Sequence, residues 1–528
     1  MLNRYTSRVQ VRSYNANPVI QFPDLTLIEG WDEILNGLEK FAIDGPIDLP
    51  WDEIQVILET RGFDDLYDVR IHLPDDEEIS NILTSGQLSG HDFFGKIPTE
   101  SRIRGIPKET SQTVCFGPGS GAFHDRVVIY LDRPKRISEA VAISKNKRLQ
   151  RLYFYDWPIS DRQRDSVIKD CHLYVDISNL QNPTGIKSAD LGNLMQDISK
   201  DTFRTVPYFN NAIWGGNWAQ NTLGMNVELL RTALGYEFIA PESAIQISNN
   251  RSEMEIPISV LLIFDAEGFV GPEVAKYFKG DFPIRFDYLD TLNGENLSIH
   301  VHPGSQQMQE IFGVLLGQEE SYYLMVASVG SVIYLGLDGK YTGPESVVAH
   351  PAEAGQLYLI PHGTPHGSGK GNVVLEVSTT PYMYSLRLHD WERLNSTGFP
   401  RPLNEKLALS AMESSNHRGQ MSADLLPRPQ TLDSGINFLL EILGSRLDWY
   451  FEVLRLKLDS GASYSLDLKE SFFLVTVVAG DFIEANGKEY SYAETFIAPA
   501  RQKQINFLNK SDVEVSLIIG RMKDGWVL

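Results

Sequence analysis

Apolar positions in the first two hundred residues follow two periods. Val127–Asp132 (VVIYLD) and His172–Ile177 (HLYVDI) are short runs of β-branched and aromatic residues, which predicts buried strands. Leu191, Leu194, Met195 and Ile198 recur at i, i+3, i+4 and i+7, the apolar stripe of a helix, with Ser188 placed to cap its start. Such a mixture predicts an α/β domain over residues 1–200. From residue 201 the pattern changes to short strand-like runs divided by Gly, Pro, Asn and Asp. They are SVLLIF, PIRFDYL, LSIHVHP, SYYLMVA, SVIYLGL, GQLYLIP and NVVLEVS, and their spacing predicts a β-sandwich or barrel over 201–400. The chain turns polar between Leu394 and Gln430, with GFPRP and LPRPQ. That stretch reads as a connecting segment, 401–435, helical near Asn404–Met412. A second β-rich domain follows over 436–528, with FFLVTVV, DFIEA, KEYSY and TFIAPA.

Composition narrows the function classes. The 528 residues carry 47 Lys and Arg against 69 Asp and Glu, a net charge of −22. So acidic a surface repels phosphodiester backbones and anionic membranes, which argues against nucleic acid or a membrane as partner. It still admits an anionic small substrate, because a few local cations suffice to hold one phosphate. Cys115 and Cys171 are the only cysteines, which fits a reducing, cytoplasmic setting. The longest apolar run, near Ile258–Phe264, is far below the roughly 18 residues that span a bilayer. The opening MLNRYTSRVQVRSYN has basic residues with no apolar stretch behind them, unlike a secretory signal. The sequence leaves the oligomeric state open.

Six of the eleven histidines fall within 90 residues: His300, His302, His350, His362, His366 and His389. His300 and His302 stand at i and i+2 in a strand-like run, so both project from one face, about 7 Å apart at Cα. Glu320 lies in the run QEESYYLM and His366 in the turn PHGTPHG, with Glu310 as an alternative acid. Three imidazoles and a carboxylate suit zinc, or Fe, Mn or Ni, with positions left for substrate oxygens. The expected metal set is His300, His302, Glu320 and His366, holding one Zn2+ per chain. The segment 438–528 has no histidine, so any barrel there is expected to be metal-free.

HxH, then Glu, then His resembles the metal pattern of the cupin barrel. The gap of 18 residues from His302 to Glu320 is similar to that of type I phosphomannose isomerases, which read LSxQVHP, a TECWY-like strand and PAGTxHA. Their counterparts are LSIHVHP, EESYYLM and PHGTPHG, and the family's IWGG matches Ile213–Gly216. FPIRFDYLDT, NVVLEVSTTPYMYSLRLHDW and PRPLN resemble a long form of this family, the class I mannose-6-phosphate isomerases with an extra N-terminal domain. The resemblance implies a multidomain fold: an N-terminal α/β domain, degenerate and kinase-like, followed by two β-rich, cupin-like jelly-roll domains. It implies a metal-dependent aldose–ketose isomerase that interconverts mannose 6-phosphate and fructose 6-phosphate through an enediolate. It places the family's metal ligands on His300, His302, Glu320 and His366, and its catalytic arginine on Arg387 in SLRLHDW. By strand parity His389 then faces the way Arg387 does, and Leu386 and Leu388 face the layer between sheets.

Two departures alter that picture. His300 stands where the family has Gln, and Gln318 where the short forms have Lys two residues before the metal Glu. Arg285, Lys370 and Asp287 are the candidates to replace that Lys. The base that moves the proton stays unassigned. The alternatives are a non-catalytic sugar-phosphate-binding regulator and a different cupin enzyme, a dioxygenase or decarboxylase. In the N-terminal domain, Gly117–Gly121 (GPGSG) invites a phosphate-loop reading but lacks the Gly-Lys-Ser/Thr ending, so no nucleotide chemistry is expected. Arg151–Ser166 resembles the lid region of kinase-like domains.

Overall fold

The computed structural model describes residues 13–526, apart from 90, 100–102, 104, 108, 146–147, 226–227, 229–230, 240–241, 395–397 and 415–424. Most of the opening stretch that was weighed as a signal, residues 1–12, and part of the connecting segment therefore lie outside the described residues.

The first unit is a seven-stranded sheet flanked by helices. Its strand order is Ile28–Glu29, Thr184–Lys187, Leu173–Asp176, Val127–Asp132, Phe41–Asp44, Val114–Phe116 and Leu66–Asp68. The last five of these run parallel. Numbered along the chain, the parallel strands take the order 2-3-1-4-5, an open α/β arrangement whose ligand crevice lies beyond the carboxyl end of the first strand. That first loop is Gly45–Pro50, not the GPGSG loop, and the helix after it, Trp51–Glu59, starts with Asp52 and Glu53. A helix start this acidic repels phosphate. The GPGSG loop instead wraps a buried carboxylate of the protein. Asp44 accepts hydrogen bonds from the amides of Gly119 (2.7 Å), Gly121 (2.9 Å) and Gly45 (2.7 Å) and from Gln163 Nε2. Burial still pushes the Asp44 carboxyl up to about 6.

One local expectation is corrected. Ser188 is the first residue of the helix Ser188–Ile198, with Lys187 at the cap position; its hydroxyl donates to the carbonyls of Ile168 and Lys169. Arg151–Ser166, the segment likened to a kinase lid, is packed helix over Leu152–Asp156 and Trp157–Val167. Tyr153, Phe154 and Trp157 are buried there, which pins the segment.

The second unit is an antiparallel sandwich. One sheet has the order Leu357–Ile360, Glu320–Ala327, Asn372–Thr379, Ile284–Asp290, Leu234–Phe238, Tyr208–Asn210. The facing sheet runs Val347–Pro351, Val332–Leu337, His366–Ser368, Ile299–Val301, Leu386–His389. Between them lies an apolar core that includes Leu289, Tyr322, Leu324, Ile333, Leu335, Tyr358 and Val374. The strand Ile284–Asp290 keeps the period of two. Phe286 and Tyr288 face away from this core, while Arg285 and Asp287 share the inner face. SVLLIF is not a strand. It lies within the helix Ile258–Val270, kinked at Asp265. A run that is apolar at every position carries neither period, and here it is covered on several sides, with Phe264 against Gly192 and Asp265 paired to Arg501.

The third unit is a second antiparallel sandwich, of six and four strands over Gln430–Met522, with its own core around Leu454, Leu456, Val475 and Leu517. Its six-stranded sheet packs by the outer face on the outer face of the first sandwich. Phe286, Tyr288, Leu375 and Val377 meet Phe451, Val453, Leu474 and Ile518 in one cluster. Gly520 permits this approach, since a Cβ there would stand 2.6 Å from the Phe286 ring. The α/β unit covers the outer face of the other sheet. Ile299, Val301, Leu386 and Leu388 pack in one cluster with Phe94, Tyr153 and Phe154.

An early segment ties the units together. Val19–Gln21 pairs with Ala244–Ser248, the Tyr14 hydroxyl bonds Glu237, and the Asn15 amide donates to Glu494 Oε1 at 2.7 Å. Arg204, fully buried, bridges Glu237 and Glu494. Among the described residues no helix is long and apolar enough to cross a membrane.

Candidate metal centre

The strand Ile299–Val301 lies between His366–Ser368 and Leu386–His389, and His300 stands directly opposite both His366 and Arg387 in register. Opposed residues of an antiparallel pair share a face, so the pairing puts His300 and His366 together inside the sandwich. His302 follows two residues on. Glu320 begins the strand of the facing sheet and reaches across. One ligand atom from each of His300, His302, Glu320 and His366 lies within 4.8 Å of all the others, and all four residues are buried. Glu310, the alternative acid, is exposed on the turn Met308–Phe312. His350, His362 and His389 bond or stack elsewhere, on the Leu335 carbonyl, on Glu319 and on the Trp391 ring.

The imidazoles are oriented by backbone. His300 Nδ1 is 2.9 Å from the Ser298 carbonyl, His302 Nδ1 3.2 Å from that of Tyr384, and His366 Nδ1 2.8 Å from that of Thr364. A carbonyl can only accept, so each Nδ1 carries the proton and each Nε2 keeps a lone pair. Metal-binding histidines are held in this way. Burial, with His366 and His302 nearby, keeps the His300 imidazole well below its usual range, and burial lowers His302 as well. Burial alone would raise the Glu320 carboxyl, but His302 and His366 beside it hold it well below the carboxylate range. His302 Nε2 is buried without a well-directed hydrogen bond, 3.0 Å from Glu320 Oε1. Three imidazoles anchored at Nδ1, with their Nε2 side gathered around one carboxylate, fit a divalent ion of the zinc type.

Behind Glu320 lies a charge cluster only half anticipated. Arg285 donates to Asp287 Oδ1 at 2.5 Å and to Glu320 Oε1 at 3.0 Å, and it pairs with Glu376. Three carboxyl groups face one guanidinium, all buried, more acid than one cation can pair. Burial pushes Asp287 up to about 6 and raises Glu376 well above the usual range. Gln318 Nε2 adds a 2.7 Å hydrogen bond to Glu320 Oε1. Of the residues weighed for the missing lysine, Arg285 and Asp287 are at the centre. Lys370 sits on an exposed turn before Asn372–Thr379, and Arg285 bonds the Thr379 carbonyl at the far end of that strand, roughly 20 Å away. Glu376, a conceivable partner for Arg387 by sequence, pairs with Arg285 instead; a carboxylate inside the apolar run NVVLEVS is a signal in itself.

Arg387 is half-buried on the edge strand. Its Nη1 donates to the Pro402 carbonyl at 2.8 Å and its amide to Asn404 Oδ1 at 3.1 Å. Burial and the neighbouring Arg401 lower its pKa. Leu386 and Leu388 are not in the layer between the sheets, as parity was expected to put them, but face outward into the apolar layer under the α/β unit. Asp390, a conceivable partner for Arg387, is taken by Arg393 and Arg401.

Residues 30–200 match a family model described as "Domain of unknown function (DUF8485)". The chain is 26% identical over 214 residues to the mannose-6-phosphate isomerase of Streptococcus mutans, covering 38% of this chain and 64% of that protein. It is 25% identical over 301 residues to mannose-6-phosphate isomerase ManA of Bacillus subtilis, covering 54% of this chain and 88% of that protein. Among solved structures, the mannose 6-phosphate isomerase from Bacillus subtilis superposes with a TM-score of 0.49 at 21% identity, covering 60% of this chain and 99% of that one.

Proposed function

We propose that this protein is a metal-dependent aldose–ketose isomerase that interconverts mannose 6-phosphate and fructose 6-phosphate in a cupin-like barrel. The observation that carries the reading is the set of three Nδ1-anchored imidazoles converging with Glu320. The names of the two relatives point to the same reaction. His300, His302, Glu320 and His366 would hold the ion, with zinc favoured by the nitrogen-rich set. When bound, a divalent ion polarises a sugar carbonyl and stabilises the negative charge that builds as the neighbouring proton leaves.

The remaining work falls to side chains. Arg285 fixes Glu320 from behind through a charged contact at 3.0 Å to Oε1. Gln318 holds the same oxygen, which sets the orientation of the carboxyl plane. Arg387, beside His300 on the edge strand, is our candidate for the cation that meets developing charge or the phosphate. The sandwich interior excludes bulk water, which strengthens each of these interactions.

The test is a coupled assay of mannose 6-phosphate conversion, before and after chelation, with elemental analysis of protein never exposed to chelator. Close to one divalent ion per chain and activity lost on chelation are expected. Protein free of metal, or turnover indifferent to chelation, would refute the reading.

A further inference from the structure

A cleft of 440 Å3 separates the α/β unit from the first sandwich. None of the four candidate metal residues lines it, but its wall joins residues that touch them. Leu316 on its wall is two residues before Gln318, and Thr380 directly follows Thr379, whose carbonyl binds Arg285. Tyr384, also on the wall, accepts the Nδ1 hydrogen bond of His302. The opposite wall comes from the α/β unit and carries Tyr153, Trp157 and Arg162.

The polar groups of the cleft are unequally committed. Lys135 and Arg164 both pair with Asp161. Arg162 gives one hydrogen bond, to the Pro98 carbonyl at 2.8 Å, and its buried Nε has no hydrogen-bond partner among the described residues. Glu242 is 5% exposed, and its Oε2 likewise has no partner there. Burial pushes its carboxyl up to about 7. Leu315, 61% exposed, gives the rim an apolar lip. Arg285, the cation beside Glu320, is already shared among three carboxylates and has nothing left for a phosphate.

We propose that this cleft binds the phosphorylated end of the sugar, with Arg162 of the α/β unit as the phosphate contact and Glu242 as acceptor for a sugar hydroxyl. The proposal rests on the isomerase reading for the identity of the sugar. A guanidinium with unused donors suits a phosphate, which takes parallel N–H···O bonds. A buried carboxylate oxygen lacking a donor suits a hydroxyl, and aromatic and aliphatic walls suit the ring's C–H faces. The α/β unit thereby becomes part of the substrate site instead of a separate module.

The experiment is calorimetric titration of the full-length, zinc-loaded protein with mannose 6-phosphate, mannose and inorganic phosphate. The wild type should bind mannose 6-phosphate at least about 10-fold more tightly than mannose. Arg162→Ala should weaken mannose 6-phosphate by about 10- to 100-fold while changing mannose less than about 3-fold. Arg162→Lys, which keeps the charge, should recover part of the loss and guards against a folding artefact. Glu242→Gln should weaken both sugars alike. Unchanged mannose 6-phosphate affinity in Arg162→Ala overturns the cleft, even if the wild type isomerises the sugar normally. Tight, Arg162-dependent binding by a wild type that fails to isomerise sustains the cleft and sinks the isomerase reading instead.

Discussion

Replacing Arg285 by methionine removes the one guanidinium that faces Asp287, Glu320 and Glu376 and keeps the length and much of the volume of the side chain. The three buried carboxyl groups are then left with no guanidinium among them. Breaking a buried ion pair from one side costs about 3–5 kcal/mol, since the partners left behind are neither solvated nor paired. For a unit of this size that corresponds to a fall of roughly 6–20 °C in melting temperature. A divalent ion at His300, His302, Glu320 and His366 offsets part of that repulsion, so the loss should be larger in chelator than in the loaded protein. Scanning calorimetry of both proteins with and without chelator reads all four numbers. Adding Glu376→Gln to the variant removes one of the stranded charges and should return part of the loss, as a double-mutant cycle measures. A loss under about 1 kcal/mol in the chelated protein would refute the reasoning, because it would mean that the three carboxyls are already neutral without Arg285.

Three further outcomes are expected. Arg387→Ala should lower turnover of mannose 6-phosphate by at least about 100-fold with the melting curve nearly unmoved, and Arg387→Lys should rescue part; unchanged turnover would end its catalytic role. Phe94→Ala should loosen the Tyr384 ring, which Phe94 stacks against, and so the carbonyl that orients His302; zinc affinity measured by competition with a chelating dye should drop about 10-fold, and an unaltered affinity would uncouple the α/β unit from the metal. Asp44, raised by burial to about 6, lends stability that is fully present below the usual aspartate pKa of about 4 and is lost as pH rises through 6. Asp44→Asn should therefore flatten the dependence of unfolding free energy on pH between 4 and 6, and a variant with the wild-type slope would contradict the assignment.

Much of this architecture is local and was readable. Val127–Asp132 and Asn372–Thr379 are strands because β-branched and aromatic residues fill them. His300 and His302 read as ligands because the period of two puts them on one face. Ile258–Val270 was misread because a run apolar on all faces shows no period, and only its neighbours decide its conformation. The cluster of Arg285, Asp287, Glu320 and Glu376 joins strands up to 91 residues apart, and no spacing in the chain announces such a pairing. Asp44 in the glycine loop is of the same kind: GPGSG gives the cradle, but the anion that fills it comes from another strand.

The segment that bears Tyr14 and Asn15 sets a timetable for the newborn chain. The Asn15 amide finds its acceptor 479 residues later, at Glu494. At about 5–20 residues per second, a ribosome needs roughly half a minute to a minute and a half to deliver that partner. Until then the α/β unit can close and the first sandwich can form, yet Arg204 lacks half of its ion pairs and the outer face of the metal-bearing sandwich stays bare. The sandwich over Gln430–Met522 thus works as a clasp on the two units made before it, and a ribosome that stalls ahead of it leaves a broad greasy flank open to chaperones and to aggregation.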